Sequence, residues 1–206
     1  MKTIKGIIIL FLLLITSVGS AATGPFGLDW GMTENEVRNQ GVDLTFMFDD
    51  GLKVFTTESL PVNLSIAEMY ALKFSKQFHL QSVIMISKSF ENDVYGTEGK
   101  EVYADFRAKL KKKYGAPDDE IERVGLELWD ERDEFYQCLA YSGCGAWLSF
   151  FGGEPGNSNS GMVVGLELKG EGRGIGYIKI TYETDKHYKA VNALEEQESA
   201  TDAGAL

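Results

Sequence analysis

The chain has 206 residues, with 20 Lys and Arg against 31 Asp and Glu and a formal net charge of −11. This length suits one domain or two small ones, and such a chain buries enough surface to fold without a staple. Nucleic acids and anionic membrane surfaces select basic faces, so the acidic balance argues against both as partners.

The first 22 residues have the three parts of a secretory signal. Lys2 and Lys5 give a positive start, the stretch from Gly6 to Val18 is almost entirely apolar, and small residues precede a cleavage position after Ala22. The apolar stretch is shorter than the roughly 20 residues that a bilayer-spanning helix needs, so we expect cleavage rather than anchoring. We therefore predict a periplasmic or secreted protein with no transmembrane segment after the signal is removed.

The two cysteines, Cys138 and Cys144, have five residues between them. In an oxidising compartment an even pair at this spacing predicts a local disulfide, which stabilises the fold by about 2 kcal/mol in the chain-entropy model. Redox chemistry usually needs Cys-x-x-Cys, and zinc would need ligands at a recognisable spacing that His79 and His187 do not supply. We expect no metal and no cofactor.

The first half of the chain predicts a short helix followed by strands. Thr33 to Glu36 matches a capping box at a helix N-terminus, and Gly41 ends that helix. Asp49-Asp50-Gly51 between apolar residues predicts a β-hairpin. Alternating or continuous apolar residues predict further strands at 70–74 and 83–86.

The middle of the chain predicts a longer helix and a second set of strands. The helix begins at Thr97, which we take as its cap, and ends at Gly115. Strand patterns follow at 121–129, 135–140 and 146–151.

The last part of the chain predicts a strand pair and a terminal helix. Residues 162–168 and 175–182 form the pair, and the glycine-rich stretch 169–174 connects them. This stretch fails the spacing of a dinucleotide-binding loop, so it is interpreted as a hairpin connection. A helix around Tyr188 then leads into the tail at 191–206.

This element order predicts the α+β class, because runs of strands follow single helices. We expect antiparallel sheet packed by one long and one short helix, with a C-terminal helix. The predicted domain covers residues 23–190 and admits two helix-then-sheet units, 28–90 and 97–184. Residues 191–206 are predicted to be a frayed acidic tail.

No catalytic residue is predicted. Ser, Cys and Thr residues lie in no recognised nucleophile motif. The acidic clusters at Asp49–Asp50, Asp118–Glu120 and Asp130–Glu134 lie at predicted turns without calcium-loop spacing, where solvated carboxylates are expected. Trp30 and Trp129 lie on predicted loops and are the candidate interaction surface.

One stretch resembles known proteins. Phe26-Gly27-Leu28-Asp29-Trp30-Gly31-Met32-Thr33, followed by Glu36-Val37, resembles the opening of many uncharacterised bacterial envelope proteins. Gly31 to Val37 is also similar to the short helix opening of the outer-membrane assembly lipoprotein and β-lactamase-inhibitor-like class, and Gly115-Ala116-Pro117 resembles the Gly-x-Pro that ends its helices. The resemblance implies a small α+β protein that binds other proteins without a catalytic centre. This chain lacks the lipid-attachment Cys and the Gly-x-Pro after its first helix.

We therefore expect an exported, non-enzymatic protein-binding or scaffold protein of the bacterial envelope, whose partner is another envelope protein. Two alternatives stay open. One is a hydrolase that acts on an envelope polymer through carboxylates gathered by folding. The other is a small-ligand carrier with an apolar pocket lined by Phe106, Leu110 and Tyr114.

The exported protein is expected to begin at Thr23 and to have Cys138 joined to Cys144. Mass spectrometry of protein recovered from the envelope, alkylated with and without prior reduction, measures both features. Two thiols that alkylate without reduction would contradict the disulfide, and retention of residues 1–22 would contradict cleavage.

Overall fold

The computed structural model describes residues 23–126, 128–154, 156–158 and 161–205. The predicted signal sequence, residues 1–22, lies outside the described residues. A single 3-10 turn at Pro25–Gly27 precedes the regular elements. These elements follow in the order α1 (Glu34–Asn39), β1 (Thr45–Asp49), β2 (Leu52–Thr57), β3 (Ala67–Ser75), β4 (His79–Ser87), α2 (Thr97–Tyr114), β5 (Asp119–Arg123), α3 (Phe135–Ala140), β6 (Ala146–Phe151), β7 (Gly153–Glu154), β8 (Asn157–Ser158), β9 (Met162–Gly172), β10 (Ile175–Thr184) and α4 (Asp185–Ala205).

Eight of these strands form one antiparallel sheet in the order β1-β2-β3-β4-β10-β9-β6-β5. The first four strands follow α1, and the other four follow α2, so the sheet consists of two helix-then-sheet units. The units meet where β4 pairs with β10, with Ile86 opposite Lys179 and Val83 opposite Tyr182. The predicted α+β class, with antiparallel sheet and a C-terminal helix, is confirmed.

Local sequence signals explain the first helix and the first hairpin. The Thr33 hydroxyl accepts the backbone N–H of Glu36, whose carboxylate accepts the N–H of Thr33 in return, which is the predicted capping box. At the β1–β2 turn, the Asp49 carboxylate accepts the N–H of Gly51. Gly51 itself adopts a positive φ of 98°, a backbone conformation that residues with a Cβ atom rarely adopt.

One side of the sheet is covered by helices and holds the core. Residues opposite each other on adjacent strands share a face, so the register defines rows across the sheet. One fully buried row consists of Ser149, Leu166, Ile180, Met85, Tyr70 and Thr57. The α2 helix is fixed on this side by a hydrogen bond of 2.7 Å between the hydroxyls of Tyr103 and Ser149.

The strand predicted at 135–140 is wrong, because this segment forms the short helix α3. The helix packs unusually close to the β9–β10 hairpin. A Cβ at Gly170 would lie 1.8 Å from the carbonyl oxygen of Tyr136, and one at Gly176 would lie 2.1 Å from its ring. The Tyr136 hydroxyl donates to Asp93 at 3.0 Å. Packing on glycines therefore determines the conformation here, overriding the apolar pattern of the segment.

One predicted cap and one predicted strand end also differ from the structure. Thr97 does not cap α2 with its side chain; instead, the Asp93 carboxylate accepts the N–H groups of Thr97 and Gly99 at 2.7 and 3.0 Å. The strand predicted at 121–129 ends at Arg123. Gly125 then takes a positive φ of 76°, which turns the chain out of the strand.

The predicted hairpin between the last two strands is confirmed, but β9 extends to Gly172 instead of ending at 168, so only residues 173 and 174 of the glycine-rich stretch connect the strands. The predicted disulfide between Cys138 and Cys144 is present, with Cα atoms 5.1 Å apart. It joins α3 to the segment that leads into β6.

The C-terminal helix α4 crosses the ends of several strands. Near the start of the helix, the Lys186 ammonium lies 5.7 Å from the centre of the ring of Phe78, which is a residue of the β3–β4 turn. Further along, Leu194 reaches the β1–β2 turn, where it would contact a Cβ at Gly51. The helix extends to Ala205, and fraying of the segment 191–206 stays a prediction. Among the described residues, none of the helices combines the length and apolar character needed to cross a bilayer.

Substitution of Gly170 by Ala is expected to destabilise the protein by about 1–3 kcal/mol, because the new methyl group would overlap the backbone of α3. Urea denaturation of the purified protein measures this change in the free energy of unfolding. Gly172→Ala is the matched control, because a Cβ there meets nothing within 4 Å. Equal stability of the two variants would contradict the close packing of α3.

Candidate functional site: the open face of the sheet

The side of the sheet opposite the core is uncovered across its middle. We call this side the open face and define it by three rows in the strand register. The first row consists of Asp119, Phe150, Gly165, Thr181, Ile84, Ala71, Thr56 and Thr45. The second consists of Ile121, Leu148, Glu167, Lys179, Ile86 and Met69. The third consists of Val163, Glu183, Ser82, Lys73 and Val54. Val163, Ser82 and Val54 are buried, so this row forms the covered border of the open face.

Apolar side chains occupy both flanks of the open face. On β6, Leu148 is half-buried and Phe150 is 37% exposed. On β3 and β4, Met69, Ile84 and Ile86 are half-buried. The corresponding positions of the buried row are fully covered, so this contrast marks a surface that the protein's own helices leave free.

A glycine on the neighbouring strand supports the exposed Phe150 ring. Gly165 lies opposite Phe150, and a Cβ at that glycine would lie 3.2 Å from the ring. The ring therefore rests on the backbone of β9, which limits the number of conformations it can adopt. A pre-ordered aromatic side chain loses little entropy when a partner packs against it.

Paired charges occupy the centre of the open face. The Lys179 ammonium lies 2.7 Å from the Glu167 carboxylate, directly across the β9–β10 pair. Lys169 lies 3.8 Å from the same carboxylate. Lys179 and Glu167 neutralise each other and Lys169 adds one further positive charge, so the centre is polar with its carboxylate paired.

A second carboxylate, Glu183, is surrounded by donors. It accepts a hydrogen bond from the Tyr188 hydroxyl at 2.8 Å and a longer one from Ser82 at 3.4 Å. His187 Nε2 and Lys73 Nζ lie 3.3 and 4.0 Å from it. This network fixes the start of α4 at one corner of the open face.

Burial controls the titration of this corner. His187 is 4% exposed, and its burial holds the pKa of the imidazole below the ordinary value of 6.5, although Glu183 acts in the opposite direction. Lys73 lowers the same pKa further. Burial, together with the hydrogen bond to Glu183, raises the pKa of the Tyr188 hydroxyl. At neutral pH, His187 is therefore uncharged and Tyr188 protonated.

The open face also contains a depression of about 230 Å³ between its apolar and charged parts. Ile84 and Phe150 line one part of it, and Lys73, Lys179 and Glu183 line another. Such a depression accommodates one side chain of a partner more readily than a whole ligand, since ligand pockets are typically about 300–1,000 Å³.

The arrangement of carboxylates bears on the hydrolase alternative. Glu120 and Glu122 share Arg107 on the covered side of the sheet, and burial raises the pKa of Glu122. On the open face, Glu167 and Glu183 are both paired with lysines. Within the described ranges, no group of three or more His, Cys, Asp or Glu side chains is placed to share a metal ion.

The residues singled out from the sequence lie away from the open face. Trp30 is half-buried against the core on the covered side, and Trp129 is half-buried in the loop between β5 and α3. Their role in binding stays a prediction. Phe106, Leu110 and Tyr114, expected to line a ligand pocket, instead pack against the core.

The sequence contains one signal for the open face. Strand β10 alternates buried with half-buried residues, and its Lys179 faces the oppositely charged Glu167 of β9. Assigning those charges to a shared surface requires the strand order. The sequence does not reveal the strand order, because the paired residues of β4 and β10 are more than 90 positions apart in the chain.

The chain matches no protein-family model, no curated protein and no solved structure. The function proposed here is therefore based on the geometry of the open face.

Stability is expected to decrease as the pH falls from about 7 to 5.5, by up to about 1.4 kcal/mol per pH unit. The folded pKa of His187 is lowered, so below pH 6.5 the unfolded state binds a proton that the folded state resists. Above pH 7 this contribution is constant. Urea denaturation across this range measures the slope for the wild type and for His187→Gln.

The slope should be reduced in His187→Gln and retained in His79→Gln, because His79 is exposed. An unchanged slope in His187→Gln would show that other groups cause the pH dependence.

Proposed function

We propose that this protein is an exported, non-enzymatic protein-binding or scaffold protein of the bacterial envelope, and that its open face contacts the partner. The observation that carries the proposal is the uncovered row from Phe150 to Thr45, which spans the sheet opposite a row that is fully buried. A sheet face that leaves apolar side chains such as Phe150 and Ile84 partly exposed is a candidate surface for binding another macromolecule.

The composition of the open face supports a protein partner. Interfaces between proteins combine aromatic and aliphatic contacts with polar groups that fix orientation. Here Phe150 and Ile84 offer apolar contact area. The Glu167–Lys179 ion pair lies between them and can orient a partner through polar contacts. The charges are already paired with each other, which favours recognition over bond-breaking chemistry.

Two further observations support the envelope as the location. The Cys138–Cys144 disulfide is typical of proteins from oxidising compartments. The N-terminal sequence has the parts of a secretory signal, and the opening around Trp30 resembles that of envelope proteins. The specific partner is expected to be another envelope protein.

Site-specific photo-crosslinking in living cells tests the proposed surface. A photo-reactive amino acid replaces Phe150 in one variant and Ile175 in another. These positions are matched, since their side chains are 37% and 38% exposed, but Ile175 begins β10 at the hairpin, away from the three rows. One dominant protein adduct is expected at position 150 and not at position 175.

The outcomes separate the candidate functions. The same adducts at both positions would show that the open face is not selective. No protein adduct at position 150 would overturn the proposal and favour a polymer or small ligand. Two further variants carry the photo-reactive amino acid at Trp30 and at Trp129, and a dominant adduct from either of them instead of position 150 would move the interaction surface to those loops.

A further inference from the structure

The two edges of the sheet differ in how they are protected. The β5 edge reads Asp-Glu-Ile-Glu-Arg, and its Glu120 and Glu122 are paired with Arg107. Charged side chains on an edge strand are a usual means of preventing further strands from adding. This edge is therefore closed to pairing.

The opposite edge, β1, has the reverse character. Its central residues Phe46, Met47 and Phe48 are 55%, 53% and 51% exposed. A bulge between Phe46 and Phe48 leaves Met47 without an opposite residue on β2. Strand β1 is the last in the sheet order, so its outer backbone groups have no neighbouring strand among the residues that the structure describes. An exposed apolar edge of this kind is a template for an additional strand.

A series of aromatic rings in mutual contact leads from the core to this edge. The Phe74 and Phe55 rings lie 5.6 Å apart, and the Phe55 and Phe46 rings lie 5.5 Å apart, all edge to face. This series runs from the core outward to β1. A strand paired with β1 would place an apolar side chain against Phe46 and extend the series by one contact.

Three carboxylates lie beside the same edge. Asp43, Glu58 and Glu68 line a cavity of about 520 Å³, together with Thr45 of β1 and Met69 of β3 among others. The cavity lining includes no basic residue. In the part of the chain that the structure describes, none of the three carboxylates has a cationic group within ion-pair distance.

We propose that β1 accepts an extended segment of a partner protein in which apolar residues alternate with Lys or Arg. The backbone of the segment pairs with the outer edge of β1, its apolar side chains pack on Phe46, and its cations enter the cavity of Asp43, Glu58 and Glu68. Alternation follows from strand geometry, because successive side chains point to opposite faces.

Charge distinguishes this occupant from a second copy of the chain. Pairing of two β1 strands would bring two sets of these carboxylates to one seam, in a protein whose net charge is already −11. A basic segment instead neutralises the cavity. This site borders the first row of the open face at Thr45. It does not rest on the function proposed for the open face, because β1 lies six strands away from β6, which holds Phe150.

Fluorescence anisotropy of a labelled peptide with four Val-Lys repeats, titrated with the full exported chain, tests the proposal. Saturable binding is expected. Three control peptides separate the causes of binding. A peptide of Val-Glu repeats removes the charge complementarity. Two further copies of the Val-Lys peptide, one N-methylated at the Lys residues and the other at the Val residues, each lack alternate backbone donors. The Val-Glu peptide and at least one N-methylated peptide should bind at least about tenfold more weakly.

Protein variants locate the site. The double variant Glu58→Gln, Glu68→Gln should weaken binding of the Val-Lys peptide, whereas Glu91→Gln, Glu101→Gln changes exposed carboxylates elsewhere and should not. Met47→Lys should also weaken it, and Val62→Lys is the control for an added charge at a 58% exposed apolar position.

Three results would overturn the proposal. One is absence of saturable binding. Another is equal affinity for all N-methylated peptides, which would show charge attraction without strand pairing. The third is a concentration-dependent dimer in analytical ultracentrifugation that Met47→Lys abolishes, which would place a second copy on the edge. Crosslinking at position 150 is unaffected by these results, so the two proposals fail separately.

Discussion

The pairing of β4 with β10 determines the architecture of this protein. Each is the last strand of its own helix-then-sheet unit, and their antiparallel alignment merges two four-stranded meanders into one sheet. With this register, α1, α2 and α3 all pack on the same side. Arg38 of α1 contacts Phe55, Tyr103 of α2 contacts Ser149, and α3 packs on the β9–β10 hairpin. On the other side, the start of α4 contacts Glu183 at one corner, and the first two rows of the open face are left as a continuous surface.

The sequence predicts those features that depend on neighbouring residues. The capping box at Thr33, the turn at Asp49 to Gly51 and the disulfide between Cys138 and Cys144 each involve residues within a few positions of one another. Their energetics are local, so the signals are visible in one short stretch. The α+β class also follows, because the order of helices and strands is a sum of such signals.

The features that the sequence does not predict arise from distant contacts. Segment 135–140 has an apolar pattern compatible with a strand, and it is helical because Gly170 and Gly176 allow its backbone to approach β9 and β10. The open face has the same origin. Phe150, Ile84 and Lys179 share a surface only because strands far apart in the chain are adjacent in the sheet.

The difference between the two edges of the sheet limits how many further strands it can add. Growth of strands from molecule to molecule into a fibre requires two receptive edges on every subunit. Here the charged β5 edge cannot donate to the apolar β1 edge of the next copy without burying Glu120, Glu122 and their shared arginine. A chain with one receptive edge terminates after a single addition. The molecule can therefore leave an apolar strand exposed without polymerising through its sheet edges.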